Sequence, residues 1–85
     1  MKKVIVLQEE VEYNLRKYII EAETYDTIYG TVKTIFWIKN RTHLVACNVH
    51  EVNERLEPEQ VQKLIKENYK YWIESFGEMV GNIGR

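Results

Sequence analysis

The segment that most constrains the fold of this chain contains two runs of β-branched and aromatic residues, 31–39 and 43–52, separated by Asn40-Arg41. Residues of these types are enriched in β-strands. The segment therefore predicts two antiparallel strands joined at Asn40-Arg41. Arginine is a poor second residue for a two-residue type I′ turn, which leaves open a loop of more than two residues.

The pairing of these strands decides which side chains share a face, because directly opposed residues of an antiparallel pair lie on the same side of the sheet. With a two-residue turn, the predicted pairs are Ile38–His43, Phe36–Val45, Thr34–Cys47 and Val32–Val49 on one face, and Trp37–Leu44, Ile35–Ala46, Lys33–Asn48 and Thr31–His50 on the other. Trp37 and Phe36 are thereby assigned to opposite faces.

The second run has an alternative interpretation as a helix. The residues that also recur at helical spacing are Val45, Val49, Val52 and Leu56, with Thr42 as a suitable N-cap. β-Branched residues lose side-chain freedom in a helix, so the valines favour the strand.

The N-terminal part of the chain predicts a short strand followed by a helix. Residues 4–7 are a continuous apolar run, which is typical of a buried strand. Helical spacing follows at Val11, Leu15, Tyr18, Ile19 and Ala22. The neighbouring acidic residues then fall on a solvated helix face: Glu9, Glu10, Glu12, Glu21 and Glu23. The competing interpretation is a strand from Tyr18 to Tyr25.

The clearest element is a C-terminal helix. Pro58 suits the first helical position, where its missing N–H costs nothing. Apolar residues recur at helical spacing at Val61, Leu64, Ile65, Trp72 and Phe76. Gly77 stands where a glycine would end the helix. Residues 77–85 are then either a flexible tail or a short last strand through Met79-Val80 and Ile83.

Together these elements predict an α+β domain of β-α-β-β-α order, closing as β-α-β-β-α-β if the last strand forms. The longer order is that of a ferredoxin-like fold, with the helices on one face of the sheet. A length of 85 residues fits a single domain, residues 1–85. Such a scaffold has many functions, so the fold alone predicts none.

Composition narrows the range of partners. The 12 basic and 13 acidic residues give a formal charge of −1, so no global field attracts nucleic acid or anionic lipid. Cys47 is the single cysteine, which favours a reducing, cytoplasmic environment over a disulfide-stabilised secreted fold. No apolar run approaches the roughly 20 residues of a membrane span. We therefore expect no membrane association.

Catalytic chemistry has one weak candidate, the set His43, Cys47 and His50. On a helix these three residues would share a face at spacings that can hold zinc. Cys47 with a nearby histidine could instead form the nucleophilic pair of a thiol enzyme. On a strand, His43 and Cys47 point one way and His50 the other, and the site is lost. No phosphate-binding glycine loop is present, and no pair of carboxylates stands out for acid–base work. We expect neither an enzyme nor a cofactor.

The face that carries Trp37 is the strongest candidate for function. If the helices pack on the other face, an apolar surface with a basic rim points outward: Ile35, Trp37 and Leu44, with Lys39 and Arg41 around them. Such a surface is typical of a contact with a protein partner or with a second copy of the chain. Two alternatives remain. The same face could bind single-stranded nucleic acid, or Trp37 could complete the core beneath Tyr25, Tyr29 or the C-terminal tail.

These observations predict a small non-catalytic binding or regulatory protein, with nucleic-acid binding and a metal or thiol enzyme as alternatives. In size, near-neutral charge and lack of catalytic motifs, the chain resembles the small inhibitor proteins of phages and other mobile elements, including anti-CRISPR proteins. The resemblance covers no specific residue, and it implies only that the chain acts by contact with another protein.

Overall fold

The computed structural model describes residues 2–40 and 46–77. The elements are β1 (Lys2–Tyr13), β2 (Arg16–Asp26), β3 (Val32–Asn40), β4 (Ala46–Val52), α1 (Pro58–Trp72) and a π-helical turn (Ile73–Gly77). The strands form one antiparallel sheet in the order β1-β2-β3-β4. The predicted α+β class is confirmed, but the helix follows all the strands, so the β-α-β-β-α order is wrong.

The predicted helix over residues 11–22 is the main error, because this region forms the end of β1 and most of β2. The chain reverses at Asn14 and Leu15, whose φ angles of 51° and 66° are those of a tight hairpin turn. Beyond the turn the residues alternate with a period of two, and Tyr18, Ile20 and Ala22 are buried on one face. The competing interpretation, a strand from Tyr18 to Tyr25, is the one observed.

The two predicted strands of the second hairpin are confirmed over the described residues, but their pairing is wrong. Trp37 lies opposite Asn48 instead of Leu44, and Lys39 lies opposite Ala46. A bulge between Phe36 and Trp37 then shifts the register again and places His50 opposite Phe36. His50 is therefore on the Phe36 face, which contradicts its predicted place beside Thr31.

The helical alternative for the second run is also wrong over residues 46–52, which form β4. His43 and the first part of that run lie outside the described residues.

The C-terminal helix is confirmed, with Pro58 in its first turn. The backbone N–H of Glu57 donates to Gln60 Oε1 at 2.8 Å, which satisfies a group at the helix start. Gly77 has a different role from the predicted one, since it ends a π-helical turn that continues from α1. A Cβ atom at Gly77 would lie 2.8 Å from Ile73 Cγ2, so close packing requires glycine there. The proposed last strand at 79–83 lies outside the described residues.

The core lies between α1 and one face of the sheet. Its buried members include Ile20, Ala22 and Phe36 of the sheet and Val61, Ile65 and Trp72 of the helix. The rings of Phe36 and Trp72 have centroids 5.3 Å apart. The Thr34 hydroxyl donates to the Glu54 carbonyl at 2.7 Å, which attaches the loop before α1 to the sheet. One face of the sheet is thus covered by α1.

Candidate partner-binding face

The opposite face of the sheet, called the open face here, is covered by no element among residues 2–40 and 46–77. Strand pairing places four cross-strand rows side by side on this face. The two central rows are Gln8-Glu21-Trp37-Asn48 and Ile5-Glu23-Ile35-Glu51. Next to the first lies the row Glu10-Ile19-Lys39-Ala46, and next to the second lies the row Lys3-Tyr25-Lys33. Carboxylates thus lie at its centre, apolar side chains flank them and lysines lie towards the rim.

Three of the predicted binding residues, Ile35, Trp37 and Lys39, lie on the open face, each partly buried. The other two, Leu44 and Arg41, lie outside the described residues. Trp37 is on the face away from Phe36 and α1, so its ring takes no part in the core beneath the helix.

The surroundings of Trp37 consist of open-face neighbours. Of the predicted covers for Trp37, Tyr29 is exposed in the β2–β3 loop. Tyr25 is partly buried on the open face and lies near Trp37, whose indole is one of the groups that act on the pKa of Tyr25. The tail beyond residue 77 lies outside the described residues. The indole Nε1 of Trp37 is buried without a hydrogen-bond partner among the described residues. Neighbouring side chains therefore shield this nitrogen, although Trp37 as a whole is only partly buried.

Glu21 is buried on this uncovered face, with only 3% of its surface exposed. Gln8 Nε2 donates to its Oε1 at 2.8 Å, and Lys39 Nζ donates to its Oε2 at 2.7 Å. Burial raises the pKa of the Glu21 carboxyl. The hydrogen bonds with Glu23, Lys39 and Gln8 and the charge of Lys39 together lower this pKa by more than burial raises it, so the net shift is downward. Glu21 is thus held as a carboxylate by its neighbours.

Glu23 is buried to the same degree, with 2% of its surface exposed. The Tyr25 hydroxyl donates to Glu23 Oε2 at 2.6 Å, and Lys3 Nζ lies 3.3 Å from the same oxygen. Burial, and next the hydrogen bond to Glu23, raise the pKa of Tyr25 to about 12. The phenol therefore remains a hydrogen-bond donor to Glu23 throughout the physiological range.

Sequence reasoning missed these two carboxylates because it placed Glu21 and Glu23 on a solvated helix face. The signal that could have found them is the alternation in β2, where Ile20 and Ala22 face the core and the glutamates face the other side. Large cross-strand neighbours cover them there, since Trp37 lies opposite Glu21 and Ile35 opposite Glu23.

The candidate metal or thiol site is not assembled by the described residues. No group of three or more His, Cys, Asp or Glu side chains there is placed to hold a metal ion. The His50 ring packs against both Phe36 and Trp72, with centroid distances of 5.6 and 5.7 Å. His50 is thus a packing residue at the edge of the core, although the bulge turns it to the same face as Cys47.

Several large apolar side chains are exposed away from the centre of the open face, and sequence reasoning identified none of them as exposed. They are Val4, Ile5, Leu15, Ile28, Tyr29 and Tyr71. Ile28 and Tyr29 lie in the β2–β3 loop, whose backbone is held by hydrogen bonds between Thr27 and Thr31 and by Gly30 at a φ of 79°. Val4 and Ile5 lie on β1, at the edge of the sheet.

Within the part of the chain that the structure describes, no helix is both long enough and apolar enough to cross a membrane. The chain matches no protein-family model, and searches of curated proteins and of solved structures returned no match.

Proposed function

We propose that this chain is a small non-catalytic binding protein that docks a protein partner on its open face and acts by occupying the partner's surface, as a regulator or inhibitor in the cytoplasm. The observation that supports the proposal is an apolar set on a sheet face that no described element covers: Ile5, Ile19, Ile35 and Trp37. Ile5 is 55% exposed, and Ile19, Ile35 and Trp37 are partly exposed around the buried Glu21 and Glu23. Apolar surface left uncovered in this way is typical of protein interaction sites.

The charges of the open face also favour a protein partner. Burying an unpaired carboxylate in an interface is costly, but Glu21 and Glu23 are already buried and hydrogen-bonded within the chain. A partner that covers Trp37 therefore removes little additional water from these groups. Trp and Tyr side chains commonly carry most of the binding energy in such interfaces.

The same charges disfavour the nucleic-acid alternative. Phosphate binding needs lysines or arginines that are free to replace counterions. On the described open face the lysines lie close to carboxylates: Lys3–Glu23 at 3.3 Å, Lys17–Glu10 at 3.9 Å, Lys33–Glu51 at 2.9 Å and Lys39–Glu21 at 2.7 Å. A nucleic acid would have to compete with these carboxylates for every lysine.

The test is an affinity purification from the native host with the full chain as bait. We expect a specific protein that is captured by the wild type and lost with Trp37→Ala, at a cost of about 2 kcal/mol or roughly 30-fold in Kd. Tyr71→Ala is the matched control, because Tyr71 is an exposed aromatic residue on α1, away from the open face.

Circular dichroism establishes that each variant is folded, and Ile35→Ala replaces Trp37→Ala if the latter unfolds. Capture that is unaffected by both substitutions would contradict the proposal. Binding of a single-stranded oligonucleotide at low salt that weakens steeply as salt is added would instead support the nucleic-acid alternative.

A further inference from the structure

The edge strand β1 has an unusual sequence for its position. Within the described residues no strand pairs with its outer side. Natural edge strands are normally protected by charges, prolines or bulges. Residues 4–7, Val-Ile-Val-Leu, carry no charge and no proline, and the strand has one bulge, between Ile5 and Leu7. Continuous apolar runs of this kind are typical of strands with neighbours on both sides and cover on both faces. In the structure, however, Val4 is 44% and Ile5 55% exposed.

The charges of β1 indicate what could cover this edge. The strand is basic at its start, with lysines at positions 2 and 3, and acidic towards its end, with Glu9, Glu10 and Glu12. Two copies of β1 in antiparallel orientation would set the basic start of each against the acidic end of the other. Lys3 already lies 3.3 Å from Glu23, and Lys17 lies 3.9 Å from Glu10, so the pairing would extend these ion pairs across the two chains. A parallel arrangement would align like charges, which is unfavourable for directly opposed residues.

The bulge in β1 makes such a pairing consistent with the two faces of the sheet. It interrupts the pairing with β2 between Ile5 and Leu7, so that Lys3 and Ile5 share the open face with Gln8 and Glu10. A register that sets Lys3 opposite Glu10 also sets Ile5 opposite Gln8, and both pairs lie on one face. In a regular strand, two residues an odd number of positions apart, such as Lys3 and Glu10, lie on opposite faces, and the bulge removes this mismatch.

We propose that the partner of this edge is a second copy of the chain, joined β1 to β1 in antiparallel orientation about a two-fold axis perpendicular to the sheet. The product is a continuous eight-stranded sheet, with both α1 helices on one side and both open faces on the other. In this register Val4 of the second copy lies opposite Glu9, at the mouth of a groove of about 600 Å³ between β1 and α1 that Val11 and Ile65 help to line. The proposal does not depend on the proposed function, because the dimer leaves the open face uncovered.

The first test is the mass of the full chain by light scattering over a range of concentrations. We expect a dimer, twice the chain mass of 10.2 kDa, that dissociates on dilution. Amide hydrogen exchange in β1 should slow as the concentration rises, while exchange in β4, the other edge strand, should not change.

The sharper test compares Val4→Glu with Val4→Lys. Both place a charge on the same exposed position, but the facing half of the second β1 is acidic. The dimer dissociation constant of Val4→Glu should therefore be higher than that of Val4→Lys by about tenfold or more. Equal weakening by both variants would overturn the antiparallel pairing of β1, because that pairing sets Val4 against an acidic segment.

A further variant, Trp37→Glu, separates this interface from one through the open face. The β1 pairing predicts that Trp37→Glu remains a dimer. A chain that is monomeric at all concentrations would overturn the proposal. So would a dimer that survives Val4→Glu and dissociates with Trp37→Glu. Loss of partner capture with Trp37→Ala is a separate readout, so failure of either proposal is distinguishable from failure of the other.

Discussion

The turn between β1 and β2 offers the most direct test of the fold. Both of its central residues have positive φ angles, 51° at Asn14 and 66° at Leu15, as a type I′ turn requires. Asparagine tolerates this conformation, but leucine does not favour it, and glycine is the preferred second residue. We therefore predict that Leu15→Gly stabilises the protein.

The expected size of the effect follows from two opposing contributions. Relief of the left-handed conformation of a non-glycine residue contributes about 1–2 kcal/mol, while glycine's greater freedom in the unfolded chain costs about 0.5–1 kcal/mol. Leu15 is 95% exposed, so its removal sacrifices almost no buried surface. The free energy of unfolding should rise by about 0.5–1 kcal/mol, which raises Tm by roughly 2–8 °C for a domain of this size.

Urea unfolding followed by circular dichroism, with thermal melts as a second measurement, tests this prediction. Leu15→Ala is the matched control, because it removes the exposed side chain but keeps the Cβ atom that disfavours the conformation. It should leave the free energy of unfolding within about 0.5 kcal/mol of the wild type. Destabilisation by Leu15→Gly, or equal stabilisation by both variants, would refute the assignment of strain to this turn.

Three further predictions concern the buried groups. Lys39→Met removes the cation beside the Glu21 carboxylate and should cost about 2 kcal/mol in urea unfolding, whereas adding Glu21→Gln to it should restore part of the loss. Because the pKa of Tyr25 is raised from 10.0 to about 12, its contribution to stability is present below pH 10 and lost as the pH rises towards 12; Tyr25→Phe should flatten that alkaline decline. Gly77→Ala should cost about 1–3 kcal/mol, measured by the same unfolding assay, because the added Cβ meets Ile73.

The turn at Leu15 also explains why the first half of the fold was not predictable. A glycine at position 15 would have marked a hairpin, but leucine provided one more apolar residue at helical spacing. The same residue that strains the turn therefore concealed it. In contrast, Pro58 and the apolar stripe that follows it predicted α1 correctly, because proline restricts the possible helix starts.

The candidate site was predictable only in part, for a related reason. Ile35, Trp37 and Lys39 were placed on the correct face because alternation along β3 alone determines it. Their cross-strand neighbours depend on register, which loops and bulges set and which no local pattern encodes. The burial of Glu21 and Glu23 depends on the register between β2 and β3, which sets Trp37 and Ile35 opposite them. It was not predictable while β2 was assigned to a helix.

The two proposals together make one more prediction, which concerns the symmetry of the partner. In the β1-linked dimer both open faces point the same way, so a partner with two-fold symmetry could contact both Trp37 side chains at once. Simultaneous contact raises the apparent affinity well beyond that of a single site. For such a partner, Val4→Glu should weaken binding although Val4 lies on the helix side of the sheet, and Val4→Lys should weaken it less. A monomeric partner contacts one open face, and its Kd, measured by calorimetry, should be the same for both variants. If Val4→Glu weakens binding of a monomeric partner while the variant stays folded, the partner must reach the β1 edge itself, and the edge would then belong to the partner's interface instead of a dimer's.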